Sequence, residues 1–327
     1  MNRIGKQILI VITLLANLAS TSVVAEDDWQ KTGILQTYFQ SYSGPTNRQW
    51  TINAGAYLNY DYLESGGIGF GYNYTYTKFD YKAELDEHIF NFSGHYNMYT
   101  DALPGKLILR LDAYVGKDTL RYDISNPPAH TGGGGMGRRT SATSNTISES
   151  ADLSAVQPQL AFINYSKTVY LDLGYAYSEY DGAVTTKVDQ VTPTFGLGWN
   201  ESYDWMQIRG YFIQLNEPVG TFGDDRYESI ELKYTHWFRD IPSSNSSIEY
   251  WRLTGLAGKR LFAVDSDAAV VYSTADTQTG SLSASVQWKF TGNAKLLGLV
   301  NYSRFENEST KDDYDSLLIY LNLQKLW

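Results

Sequence analysis

The sequence predicts an all-β fold, a transmembrane antiparallel up-and-down β-barrel of about fourteen strands, bounded between about twelve and about sixteen. Three observations predict it. Apolar and polar side chains alternate with a period of two through segment after segment. No stretch beyond residue 25 is apolar for long enough to cross a bilayer as a helix. The tryptophans collect at one set of predicted strand ends.

Taken in chain order, a faint alternation covers 33–42. In the next segment Trp50, Ile52, Ala54, Ala56, Leu58 and Tyr60 stand opposite Thr51, Asn53, Gly55, Tyr57 and Asn59. Ile68, Phe70 and Tyr72 oppose Gly69, Gly71 and Asn73, and Phe90, Phe92 and Tyr96 oppose Asn91, Ser93 and His95. Leu107, Leu109, Leu111, Ala113 and Val115 oppose Arg110, Asp112, Tyr114 and Gly116. A fainter pattern covers 153–163. Leu171, Leu173 and Tyr175 then oppose Asp172, Gly174 and Ala176, and Val191, Pro193, Phe195, Leu197 and Trp199 oppose Gln190, Thr192, Thr194, Gly196 and Gly198. After a faint 204–215, Ile230, Leu232 and Tyr234 oppose Glu231, Lys233 and Thr235. A fainter pattern covers 247–264, within an ambiguous stretch 247–278. The cleanest split follows, Leu282, Ala284, Val286, Trp288 and Phe290 against Ser281, Ser283, Ser285, Gln287 and Lys289. Faint strands at 294–306 and 315–327 complete the set.

A secreted β-sandwich also alternates. Long strands, a polar face of Gly, Ser, Thr, Asn and Tyr, and the grouped tryptophans (Trp199, Trp205, Trp237, Trp251, Trp288 and Trp327) favour a barrel with a water-filled interior. Long or polar gaps near 43–48, 123–150, 181–187, 216–225, 265–278 and 307–314 alternate with short ones, which places both mature termini on the periplasmic side. Tyr76, Tyr81, Tyr177, Tyr180 and Tyr302 are expected in a second girdle at the other end. The barrel is expected to consume the mature chain, leaving no plug and no separate domain.

Residues 1–25 read as a secretory signal peptide: Arg3 and Lys6, an apolar run from Ile8 to Leu18, and small residues up to Ala25. The barrel then occupies 26–327. Cysteine is absent, so disulfides and cysteine-type metal sites are excluded, and four histidines show no ligand spacing. No cofactor or metal is expected. Without Arg3 and Lys6 the 26 basic residues fall to 24 against 36 acids, a net −12 that speaks against nucleic acid as a partner.

The chain stops on Trp327, with Leu317, Ile319, Leu321 and Leu323 on the same face of the last strand. Leu321, Leu323 and Trp327 resemble the C-terminal assembly signal of Gram-negative outer-membrane β-barrels. Lys325 departs from that pattern, since an apolar residue or Tyr usually stands there. The resemblance covers the mature chain as architecture and implies an outer-membrane location, contact with outer-membrane lipid and lipopolysaccharide, and recognition by the barrel assembly machinery.

Ser93, His95 and Asn97 share a polar face. Barrel lipid hydrolases that use Ser and His must present the pair to lipid, and here the alternation turns His95 inward, so no catalytic residue and no enzyme is expected. The acids Asp265 and Asp267, and those from Glu306 to Asp315, read as solvated loop residues. The long loop Asp123–Ser150 carries four consecutive glycines, Gly132–Gly135, and then Arg138 and Arg139. It reads either as an exposed loop or as one that folds inward and lines the pore with those arginines. Arg110, Asp112, Asp118, Asp172, Arg209, Glu231, Lys233 and Lys289 are expected in the lumen, as bracing ion pairs or as selectivity groups. The function expected is passive passage of small polar solutes, with sugars suggested by Tyr57 and Tyr114. The alternative is an export or assembly barrel working with a periplasmic partner in surface polysaccharide or lipoprotein delivery. An outer-membrane enzyme stands third.

Overall fold

The computed structural model describes residues 29–63, 65–99, 103–123, 146–182, 185–216, 224–238, 247–265, 270–271, 276–291, 293–307 and 311–327. The predicted signal peptide and Arg138 and Arg139 lie outside the described residues. The strands are β1 (Trp29–Ser43), β2 (Arg48–Tyr62), β3 (Gly66–Phe79), β4 (Glu84–Tyr99), β5 (Gly105–Asp123), β6 (Thr146–Asn164), β7 (Val169–Asp181) and β8 (Thr185–Trp199). They continue as β9 (Asp204–Asn216), β10 (Arg226–Trp237), β11 (Ser247–Arg260), β12 (Val264–Asp265), β13 (Val270–Val271), β14 (Asp276–Thr291), β15 (Ala294–Asn307) and β16 (Asp313–Leu326).

All but β12 and β13 form one closed antiparallel barrel, in which each strand pairs with its sequence neighbours and β1 pairs with β16. That is fourteen strands, the even number that closes an antiparallel sheet. Closure leaves no unpaired edge, which an apolar surround demands because it offers backbone groups no water. The seam runs from Thr32↔Leu326 to Ser43↔Asp315. It extends past the strand end, where the Trp327 amide donates to the Lys31 carbonyl at 3.0 Å and the Lys31 amide donates to the Trp327 carbonyl at 3.1 Å. The Trp327 indole lies against Gly33, where an added Cβ would come within 2.8 Å of the ring. Both described ends of the chain therefore meet at one end of the barrel, here the terminal end; the other is the far end.

The alternation in the sequence becomes two faces. Outward positions are exposed and apolar, for example Phe90, Phe92, Leu111, Leu173, Phe212, Leu282 and Ile319. Inward positions are buried and mostly polar, for example Asn53, Asn73, Asn91, Gln157, Thr192 and Ser285. Trp199 and the exposed aromatics Trp29 and Tyr62 stand outward at the terminal end. Trp205 lies on the polar parity of its strand and is turned inward, over Gly196 and Gly198. Tyr180, expected in a girdle, is buried in the lumen.

The strands are longer at the far end than the alternation suggests. Strand β6 begins at Thr146, inside the segment expected to be loop. There β5 and β6 carry charge on their outer face, with Lys117 to Asp152 at 3.5 Å and Arg121 paired with Asp86. Pairing continues where the outward residues have stopped being apolar, so the apolar signal ends before the strand does.

An outward residue near mid-strand is the test of sidedness. Leu173→Arg should lower the urea unfolding free energy in phospholipid vesicles by about 2–4 kcal/mol. Ser283→Lys, on an inward position, should lower it by well under half as much. Equal losses would contradict the assignment of faces.

Candidate functional site in the barrel lumen

The lumen has two unlike walls. Across β1, β2, β3 and β16 the inward side chains between Asp61 near one end and Arg48 near the other are uncharged. They bond to one another. Gln36 donates to the Tyr57 hydroxyl at 2.9 Å and to Asn73 Oδ1 at 3.1 Å, and accepts from Tyr320 at 2.9 Å. Asn322 donates to Tyr320 at 2.9 Å, and Gln40 to Ser316 at 2.8 Å. Arg48 ends this wall at the far end, 2.5 Å from Asp276, which also accepts from Tyr314 at 2.7 Å.

The opposite wall, from β4 to β11, carries an apolar cluster in its far half, among buried polar residues such as Ser178, Thr186 and Gln190. Ile89, Tyr114, Leu153, Tyr180, Val188, Tyr211, Ile213, Leu215, Tyr227 and Leu256 form one buried cluster with Leu261, Phe262, Ala263 and Val264. The last four residues belong to no barrel strand. The chain leaves β11 through a bulge at Gly258, whose φ of +102° suits glycine and whose backbone passes too close to the Glu228 carbonyl for a Cβ. It then turns into the barrel, where β12 pairs with β13. Leu261, Phe262, Ala263 and Val264 are at most 5 % exposed, so this wedge is packed against the wall and not merely near it.

Two polar clamps hold the wedge. The Gln190 side-chain amide donates to the Val264 carbonyl at 2.8 Å and accepts from the Val264 amide at 3.0 Å. The Asp265 carboxylate lies 3.6 Å from Arg209 and 4.0 Å from Arg260, and accepts from the Tyr211 hydroxyl at 3.5 Å. Tyr180 adds a ring contact to Phe262 at 4.6 Å between centroids and donates to its carbonyl at 3.4 Å. Burying Leu, Phe and Val side chains contributes roughly 5–9 kcal/mol. Ordering five backbone residues costs about 5–10 kcal/mol. The two nearly cancel, so the clamps decide whether the wedge stays.

This corrects two expectations, and it separates two tyrosines that the sequence places together on the lumen face. The lumen is not free of a plug. Asp265 is not a solvated loop acid but a largely shielded ion-pair partner of Arg209 and Arg260. Tyr114 joins the apolar cluster, while Tyr57 belongs to the polar wall.

The eight charged residues expected in the lumen all occupy inward positions, and the structure pairs some of them. Arg110 donates to Asp112 Oδ1 at 3.2 Å, its Nε lies 2.8 Å from Asp112 Oδ2, and Asp112 is fully buried. Lys233 lies 3.5 Å from Glu231. Arg209 also donates to Thr194 at 3.1 Å. Asp118, Asp172 and Lys289 stand on the inward faces of β5, β7 and β14. His95 is inward too, 3.8 Å from Asp61. Leu321 and Leu323 stand outward on β16. Arg48, Arg260, Asp276 and the Glu249–Lys295 pair at 3.0 Å were missed from the sequence. Bulges shift the inward register next to Arg48, Glu249 and Arg260, so simple counting by twos fails there. Among the described residues no group of His and acids could hold a metal ion.

A closed barrel with an apolar outer belt and a polar, ion-paired interior defines an outer-membrane β-barrel of porin-like architecture. No protein-family model matches the chain. The chitoporin of Escherichia coli strain K12 is 24 % identical over 221 residues, a match that spans 60 % of this chain and 46 % of the chitoporin, less than half of that relative. Among solved structures, the Ralstonia pickettii toluene transporter TbuX superposes with a TM-score of 0.52 at 11 % identity, covering 92 % of this chain and 90 % of its own. The CymD monoaromatic hydrocarbon channel gives 0.51 at 9 % identity, covering 92 % and 89 %. These superpositions establish the shared barrel fold.

The chain has no cysteine, so a single introduced thiol reports on the wedge. Ala263→Cys should react slowly with a water-soluble maleimide. Adding Gln190→Leu removes two hydrogen bonds worth about 0.5–1.5 kcal/mol each, and labelling should then quicken about tenfold, since about 1.4 kcal/mol is a factor of ten. An unchanged rate would show that the amide clamp does not hold the wedge.

Proposed function

We propose that the protein is an outer-membrane channel for passive passage of small polar solutes, which travel along the uncharged wall of β1, β2, β3 and β16. The observation that carries this reading is the division of the lumen, with amide and hydroxyl groups lining β1, β2, β3 and β16 and an apolar cluster seating the wedge on the other wall. A wall of neutral donors and acceptors exchanges hydrogen bonds with a hydroxylated solute without desolvating a charge. The distant similarity to a protein named chitoporin agrees with sugars as the solutes. On this reading the termini are periplasmic and the longer far-end strands face outward among lipid and lipopolysaccharide. The last strand, ending in Leu321, Leu323 and Trp327, is what the assembly machinery would read. The eight inward charged residues act chiefly as braces, because Arg110–Asp112 and Lys233–Glu231 neutralise one another. His95 lies inside, away from lipid, which supports transport over lipid hydrolysis.

The wedge also favours a second reading, a barrel closed alone and opened by a periplasmic partner during export. Planar-bilayer recording separates the two. The refolded mature chain should give small, steady single-channel currents. Replacing residues 261–271 with a short Gly-Ser linker should raise the conductance several-fold. Silence from the folded, heat-modifiable chain together with large currents after the replacement would favour the partner-opened barrel. Silence from both would remove the channel reading.

A further inference from the structure

Two tryptophans at the terminal end face the lumen and not the lipid. Trp205 and Trp237 fall on the inward parity of β9 and β10, beside Gly198 and Tyr250 on the neighbouring strands. The Trp205 indole lies across β8: a Cβ on Gly196 would come within 2.5 Å of the ring, and one on Gly198 within 2.9 Å. Glycine at both positions is what lets the ring rest on backbone. Tyr170 borders it, with ring centroids 6.5 Å apart. Trp205 is still only half-buried, so the side of the indole turned away from β8 is presented to the lumen.

Arg252 stands across Thr235 from this ring. Thr235 pairs with Trp205 on one side and with Arg252 on the other, and all three are inward. Strand spacing puts the two flanking Cα atoms about 10 Å apart. The Arg252 Nε donates to the Thr235 hydroxyl at 3.0 Å, and its guanidinium stacks 5.0 Å above the Tyr250 ring, which is backed by Trp237 at 6.0 Å. Among the described residues its two terminal nitrogens have no partner and no carboxylate pairs with it. The acid on the same strand, Glu249, is taken by Lys295 at 3.0 Å and by Gln287. An oriented, charged fork therefore stands beside a supported indole.

We propose that this bay at the terminal end is a binding site for an acidic sugar, a pyranose ring that bears one carboxylate. The C–H face of the ring stacks on Trp205, whose π face carries partial negative charge. The carboxylate takes the two terminal nitrogens of Arg252 in the planar, bidentate geometry that a guanidinium favours. Ring and carboxylate are joined without a flexible linker, so one molecule meets both groups at little cost in ordering. A neutral sugar meets only the indole, and a small carboxylate without a ring meets only the arginine. As a step in passage, this deepens the channel reading and rests on it; as a binding site, it stands on the wall geometry alone.

The test is calorimetric titration of the refolded full chain with glucuronate, and with glucose and acetate as comparators. Glucuronate should bind about tenfold tighter than either, the gain expected of charge-assisted hydrogen bonds added to stacking. Arg252→Gln should remove about that factor from glucuronate and leave glucose unchanged. Trp205→Leu keeps an apolar side chain and loses the π face, so glucuronate and glucose should both weaken about fivefold. Heat-modifiability on gels checks folding. If Arg252→Gln fails it, Arg252→Lys serves, since it keeps the charge, loses the planar fork, and should still weaken glucuronate several-fold. No binding of glucuronate, glucose or acetate binding as tightly, or an affinity that survives both substitutions would overturn the site. In planar bilayers, steady currents from a chain that does not bind glucuronate sink this inference and spare the channel. Glucuronate binding by a chain silent in bilayers does the reverse.

Discussion

Backbone hydrogen bonding in an apolar surround is the constraint on which everything else here depends. A strand in hydrocarbon cannot leave its N–H and C=O groups to water, so the sheet has to close on itself. Closure between β1 and β16 makes the strand count even and brings the two described chain ends together. It also sets a single inside and a single outside for the whole chain. From that point the period of two has a consequence, because each residue is committed either to lipid or to the lumen. The Lys31–Trp327 pair carries the ladder past the end of β16, and the indole on Gly33 covers the seam where first and last strands meet.

The same rule lets the barrel change character along its axis. Near its middle, apolar residues such as Leu173 and Phe212 face out and polar ones such as Thr192 and Gln157 face in. Towards the far end, outward positions take Lys117, Asp152 and Arg121, while inward positions take Leu153, Val188, Ile213 and Leu215. Nothing in the backbone needs to alter for this exchange. Beyond the lipid the outer face is free to be charged, and the inner face then has an apolar task, which is to seat the wedge.

The barrel was legible because its signal is local. Residues two apart share a face wherever the strand is regular, and the inward positions of Arg110, Asp112, Asp172 and Glu231 follow from counting alone. Counting fails at the bulges beside Arg48, Glu249 and Arg260, where one extra residue shifts the register. The wedge was hidden for another reason. Leu261-Phe262-Ala263-Val264 is an apolar run that reads as the tail of an ambiguous strand. Its partners lie elsewhere in the chain, Gln190 at a separation of 74 residues and Tyr180 at 82. The available clue was the apolar content of inward positions at the far ends of β7, β8 and β9. A water-filled lumen has no use for Val188, Ile213 and Leu215 unless something covers them.

By itself, the sequence determined the fold class, the approximate places of the barrel strands and the face on which regular strand residues lie, while closure settled their number at fourteen. Periodicity and turn chemistry act between near neighbours, and the sequence displays near neighbours directly. Only the tertiary structure decided how far the strands run past the apolar belt, which charges meet, and that the chain after β11 turns inward to place Asp265 between Arg209 and Arg260. These outcomes depend on which walls face one another across a closed barrel. Closure brings distant strands together at separations that no local pattern records.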